Sequence, residues 1–177
     1  MKIIFLDIDG VVCSTQSFNT AVSEWFDVPD DENLFDGFSS RRVKKQFCPN
    51  FNMSYWPFGK EALSLIHKLT RENDEIKFVI SSTWREGKTV EQLDKVFKLK
   101  GLHIPIIGFT KVTDGDRRDE IIEWVRTHEG IPITHWCAID DIDLDITNHS
   151  VLTNFDNGFT KEDYDKVCVI LELENAR

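Results

Sequence analysis

The sequence is short of three things: paired cysteines, long apolar runs and positive charge. Its four cysteines, Cys13, Cys48, Cys137 and Cys168, form no C-x-x-C pair and match no zinc-ligand spacing. That argues against a zinc-stapled or disulfide-stapled scaffold and for reduced thiols in a cytoplasmic protein. The apolar run at the N-terminus, Ile3 to Leu6, breaks at Asp7, and no other stretch is long enough for a signal peptide or a membrane span. A soluble, cytoplasmic chain with no membrane partner is the expectation. Lysine and arginine total 21 against 31 aspartates and glutamates, a formal net charge of -10. A chain this acidic does not attract nucleic acid as a whole, so any polyanion site must be local, built from a basic patch or a bound cation. Part of the acidity can serve such a cation, which needs clustered carboxylates.

What is present is an alternation of apolar runs and helical stripes. The 177 residues suit a single domain over 1–177 with one cap-like insertion. Residues 2–6 and 76–80 are short continuous apolar runs and read as buried parallel strands. Further strands are expected near 104–107, 134–139 and 149–153. Helices are expected over about 17–26, 59–72, 88–100, 116–128 and 160–174. This order predicts an α/β, Rossmann-like fold: a mainly parallel sheet with helices on both faces. Residues 14–58 interrupt the pattern. They carry many aromatic residues, among them Phe18, Trp25, Phe35, Phe47, Tyr55 and Phe58, and a basic run, Arg41-Arg-Val-Lys-Lys45. The stretch is too long for an idle loop and reads as an insertion over one end of the core.

In a parallel sheet the ligand crevice lies beyond the carboxyl ends of the strands. Three strands end in residues of chemical interest: Asp7 and Asp9, Ser81 and Ser82, Asp140 and Asp141. On an extended segment side chains two apart point the same way. Asp7 and Asp9 would then repel unless one is protonated or a cation binds. Phosphoryl transfer uses such a pair: Asp7 as nucleophile, Asp9 as proton donor and then acceptor. Gly10 lets the backbone turn sharply behind them. Ser81 and Ser82 can hold a phosphate oxygen. A Mg2+ ion would find oxygen ligands in Asp7, in Asp9 through its backbone carbonyl, in Asp140, and in Asp141 directly or through water. The phosphate also needs a cationic side chain. Lys111, Arg117 and Arg118 are the candidates, and Arg118 is preferred for its place in the first turn of the 116–128 helix.

These residues in this order resemble the haloacid dehalogenase (HAD) superfamily of phosphatases. Phe-Leu-Asp7-Ile-Asp9-Gly-Val-Val is similar to its first motif, Val79-Ile-Ser81 to its second, Arg118 or a neighbour to its third, and Ala138-Ile-Asp140-Asp141 to its fourth. The third departs from the frequent lysine. A closer resemblance, carried by Phe47-Cys-Pro49, Ile80-Ser-Ser-Thr-Trp-Arg85, Asp119-Glu-Ile-Ile-Glu-Trp124 and Asn157-Gly-Phe-Thr160, is to the HAD domains of Swiss-army-knife RNA repair proteins and their stand-alone relatives. It implies a Mg2+-dependent phosphatase acting on nucleotides or nucleic-acid ends. A small-metabolite phosphatase, such as one for sugar phosphates, and a non-enzymatic phosphoryl-receiver or binding module are the alternatives. Trp84 and Arg85 belong to the resemblance but are given no catalytic part, and Arg85 is suited to bonding a carboxylate of the protein. The insertion falls where superfamily members carry caps that exclude water and select substrate. Its interleaved aromatic and basic residues could stack bases and follow a phosphodiester backbone.

Overall fold

A run of apolar residues becomes a central strand when both of its faces are covered. In the computed structural model, which describes residues 1–26, 57–113 and 115–173, β1 (Lys2–Leu6) is that strand. Ile3, Ile4, Phe5 and Leu6 are all fully buried. β2 (Ile76–Ile80) and β4 (His135–Asp140) pair with it on either side, in parallel. β3 (Ile106–Phe109) and β5 (Ser150–Leu152) complete a five-stranded sheet of order β3-β2-β1-β4-β5, parallel throughout.

Side-chain alternation along β1 sorts the helices onto the two faces. Ile4 and Leu6 pack with Ala62, Ile66 and Leu69 of α2 (Lys60–Glu72), with Leu93 and Phe97 of α3 (Val90–Leu99), and with Tyr164 and Val167 of α5 (Lys161–Ile170). Ile3 and Phe5 pack with Ile121 and Trp124 of α4 (Arg117–Thr127) on the other face. Phe18 of α1 (Thr15–Phe26) joins the first of these clusters. The expected fold class, with helices on both faces, is the observed one.

Local chemistry sets the helix starts. Thr89 and Gln92 form a reciprocal capping box at α3, and Thr160 and Asp163 form one at α5. Asp116 caps α4 by accepting from the Asp119 amide. Most boundaries shift by a residue or two from expectation, and two of the shifts follow from how the core is filled. β3 begins at Ile106 because Ile104 turns into the core, and the pairing with β2 shifts register between Phe78 and Val79. α5 stops at Ile170, and Leu171 and Leu173 then drop into the core around Glu172, whose φ is 49°.

The stretch read as an insertion leaves and rejoins the core at one place. The Gly59 amide bonds the Val12 carbonyl at 2.8 Å, and the Ser17 hydroxyl bonds the Pro57 carbonyl at 3.2 Å. The basic run Arg41 to Lys45, Cys48, Phe47-Cys-Pro49 and the aromatic residues Phe35, Phe38, Phe51, Tyr55 and Trp56 lie outside the described residues. Cys13, Cys137 and Cys168 are buried free thiols. No helix among the described residues is long and apolar enough to cross a membrane.

Phe5 anchors the α4 face. Its ring meets Trp124 edge-on at 5.4 Å and Trp136 at 5.7 Å. Phe5→Ala should cost about 3–5 kcal/mol in urea unfolding, while Leu152→Ala, at a half-exposed position, should stay within about 0.5 kcal/mol.

Candidate active site

The sheet register carries straight into the site. Leu6 sits beside Ile80 and Ile139, and the next residue of each strand continues the ladder. The Asp7 amide bonds the Ile139 carbonyl at 3.0 Å, and the Ser81 amide bonds the Leu6 carbonyl at 3.1 Å. Asp7, Ser81 and Asp140 each lie two residues beyond Phe5, Val79 and Ala138, which face α4. All three side chains are therefore delivered to the α4 side of the rim. They are also buried: Asp7 is 3% exposed and Asp140 and Ser81 1%.

Two carboxylates so placed need a positive partner, and α4 supplies it. The Arg117 Nη1 donates to Asp140 Oδ2 at 2.7 Å and lies 2.8 Å from Asp7 Oδ2. Burial alone would make this guanidinium easier to deprotonate, but Asp7 and Asp140 outweigh it and hold Arg117 above its ordinary range. Asp140 is pushed upward, first by burial and then by the charge of Asp7, with Arg117 opposing. The Ile142 amide secures its other oxygen at 3.0 Å.

The candidate third-motif cations are thus separated by position. Arg118, the arginine preferred from sequence, is half-exposed and lies 3.7 Å from the exposed Asp145. Lys111 is exposed. Arg117 occupies the place beside the carboxylates. A signal for this exists in the sequence: Arg117, Ile121 and Trp124 fall on one helical face, and the latter two are buried.

Asp9 also departs from expectation. The strand ends at Leu6, and the amides of Val11, Val12 and Cys13 all fold back onto the Ile8 carbonyl. Asp9 lies outside β1, in an isolated bridge to Cys13, beyond the stretch whose pairing fixes the two-residue alternation. Asp7, Asp140 and Asp141 form a group whose carboxylate oxygens lie within 4.8 Å of one another, and the Asp9 carboxylate is not part of it. Its Oδ2 instead accepts from the Trp84 indole at 3.3 Å. Gly10 explains how Asp141 gets in: its φ is 75°, and a Cβ there would sit 2.5 Å from the Asp141 side chain. Thr153 fixes the turn by donating to the Gly10 carbonyl at 2.8 Å.

The two serines are used differently. The Ser82 oxygen accepts from the Trp84 amide and caps the short 3-10 turn Thr83–Arg85. The Ser81 hydroxyl is buried and has no hydrogen-bond partner among the described residues. A buried hydroxyl in that state is costly unless a ligand oxygen completes it. Arg117 bonds two of the three carboxylates, Asp7 and Asp140, and an all-oxygen donor set of this kind suits a hard divalent cation. A cavity of about 200 Å³ between the starts of α1 and α2, lined by Ser14, Ser17, Thr20, Phe58 and Lys60, includes none of these carboxylates.

Arg85 holds the arrangement from below. Its guanidinium donates to the Ser81 and Ser82 carbonyls at 2.6 Å, to the Thr110 carbonyl at 2.9 Å, and to the Glu120 carboxylate. Glu120 lies one turn after Arg117 on α4, and its second oxygen accepts from the Thr113 amide at 2.9 Å. Burial lowers the Arg85 pKa and Glu120 opposes the shift. The pair ties the serine-bearing end of β2 to the helix that presents Arg117. Removing either partner strands a buried charge, so Arg85→Ala or Glu120→Ala should each cost about 3–5 kcal/mol. The double variant should lose clearly less than the sum when denaturant unfolding is compared across the cycle.

A family model described as the HAD domain in Swiss Army Knife RNA repair proteins matches residues 3–164, which take in every strand and all the carboxylates above. No curated protein and no solved structure gives a match to this chain. With the parallel sheet, the acidic group at its rim and a match across nearly the whole length, the chain belongs to the family of HAD domains described from Swiss Army Knife RNA repair proteins.

Proposed function

We propose that this chain is a phosphatase that hydrolyses phosphate monoesters through an aspartyl-phosphate on Asp7. The observation that carries the reading is the convergence of Asp7, Asp140 and Asp141 around Arg117, next to the open Ser81 hydroxyl. Asp7 is the buried carboxylate that follows the central strand directly, and Arg117 lies beside it. An Asp7 oxygen bonds phosphorus as the ester P–O bond breaks, and the leaving oxygen takes a proton from Asp9. A water then attacks phosphorus and gives its proton to Asp9, and the Asp7–phosphorus linkage breaks to release phosphate. Ser81 and Arg117 bind phosphoryl oxygens, and Ser82 shapes the turn behind them. Asp7, Asp140 and Asp141 would hold Mg2+, with the Asp9 main chain as a further ligand, and the ion would neutralise charge on the transferring group.

Nucleotides or nucleic-acid ends are the leading substrates. The family description, drawn from RNA repair proteins, supports them, as does the basic run Arg41 to Lys45 set against an acidic chain. Residues 14–58 would form the cap that chooses among substrates, within a single HAD-like domain. The buried free thiols support a cytoplasmic setting.

A screen of mononucleotides, 3′- and 5′-phosphorylated oligonucleotides and sugar phosphates, with Mg2+ and with a chelator, tests this reading. Metal-dependent release of phosphate is expected, strongest on the nucleotide substrates. Asp7→Asn should reduce it by about three orders of magnitude or more while leaving thermal unfolding intact. Activity confined to sugar phosphates would remove the nucleic-acid assignment, and full activity of Asp7→Asn would remove the mechanism.

A further inference from the structure

Asp9 sits in a turn, beyond the strand that fixes Asp7, yet a proton donor must be held in one orientation to serve a leaving oxygen. We propose that Trp84 is the positioning residue for Asp9, anchoring one carboxylate oxygen so that the other delivers the proton. This rests on the phosphatase reading above.

The contact is the Trp84 Nε1 donating to Asp9 Oδ2 at 3.3 Å. An indole N–H only donates. It can neither take the proton from Asp9 nor supply one, so Oδ2 stays an acceptor and proton exchange with the leaving group and water falls to Oδ1, a buried atom. The donor itself is rigidly mounted. Trp84 is 7% exposed, and its ring packs against Phe58 at 5.9 Å and Phe97 at 6.3 Å. The Lys100 ammonium lies 5.7 Å from the ring centroid. The backbone is fixed from both sides, by the Ser82 oxygen on the Trp84 amide and by the Arg85 guanidinium on the Ser81 and Ser82 carbonyls. The same short turn therefore orders the strand end that presents Ser81 and orients the proton donor. A tryptophan needed only to fill the core would not require its N–H to face a carboxylate.

Trp84→Phe keeps a ring in place and deletes the donor. The measurement is kcat/KM for two esters, a simple alkyl phosphate, whose leaving oxygen needs the proton, and 4-nitrophenyl phosphate, whose leaving group departs without it. This constant reports the step that phosphorylates Asp7, and the ratio of the two values does not depend on how much of the variant is folded. The expected result is a loss of about 10–100-fold for the alkyl ester, within the range of a general-acid contribution, and little change for the aryl ester. In an Asp9→Asn background the same substitution should change neither value further. Trp84→Tyr, which moves the donor off its site, gives the same ratio test with a second ring. Equal losses on both esters, or no loss on either, would overturn the proposal while leaving the phosphatase reading standing. A wild-type chain that releases phosphate neither from these esters nor from any of the nucleotide, oligonucleotide and sugar phosphates of the screen would overturn that reading and this one with it.

Discussion

Burying two carboxylates side by side is the constraint around which this structure is organised. Asp7 and Asp140 are almost fully enclosed at the ends of neighbouring strands, where burial and then the charge of Asp7 make Asp140 harder to ionise. Such a pair persists only with a compensating charge within bonding distance. Arg117 meets both with one nitrogen, and it can do so because α4 starts at the rim, capped by Asp116, on the face to which the strand alternation sends both carboxylates. Asp141, admitted by the absence of a side chain at Gly10, adds a third carboxylate to the group. The balance left is one that a divalent cation and a phosphate group, arriving together, would complete.

The rest of the molecule keeps that balance in register. The parallel ladder continues past the named strands through the amides of Asp7, Ser81, Thr110 and Thr153, so the ends of all five strands are locked to one another at the site. The Arg85–Glu120 pair then links β2 and β3 to α4 beneath it. A buried ion pair contributes little net stability over an apolar one. Here it serves a geometric purpose, since the same helix carries Arg117 and the same turn carries Trp84. The turn after β1 is held in the same manner by distant segments, Gly59 on Val12, Phe159 on Val11 and Thr153 on Gly10. Those are also the points where the 14–58 stretch leaves and returns.

Much of this was legible in the sequence. Buried parallel strands are continuous apolar runs, so β1 and β2 stand out. The convergence of Asp7, Ser81 and Asp140 followed from strand order alone. What was not legible depended on where extension stops. The alternation that would align Asp9 with Asp7 holds inside a strand, and β1 ends at Leu6, with Asp9 in an isolated bridge to Cys13. The arginine assignment weighed position along α4 and not the face, although the spacing from Arg117 to Ile121 and Trp124 points it inward. The start of β3 was set too early because Ile104 and Ile106 are equally apolar, and only the register shift against β2 separates core filling from pairing. The partners of Arg85, and Trp84 bonding Asp9, join residues distant in sequence and carry no local pattern.

The central claim is that Asp7 becomes covalently phosphorylated during turnover. Acid quenching of the wild-type chain during steady-state hydrolysis of a phosphate monoester with Mg2+, followed by peptide mass mapping, tests it directly. The account predicts a phosphoryl adduct on the peptide containing Asp7, strengthened in Asp9→Asn under an aryl ester because water is then activated poorly, and absent from Asp7→Asn. An adduct on any other residue, or turnover with no adduct in either the wild type or Asp9→Asn, would contradict it.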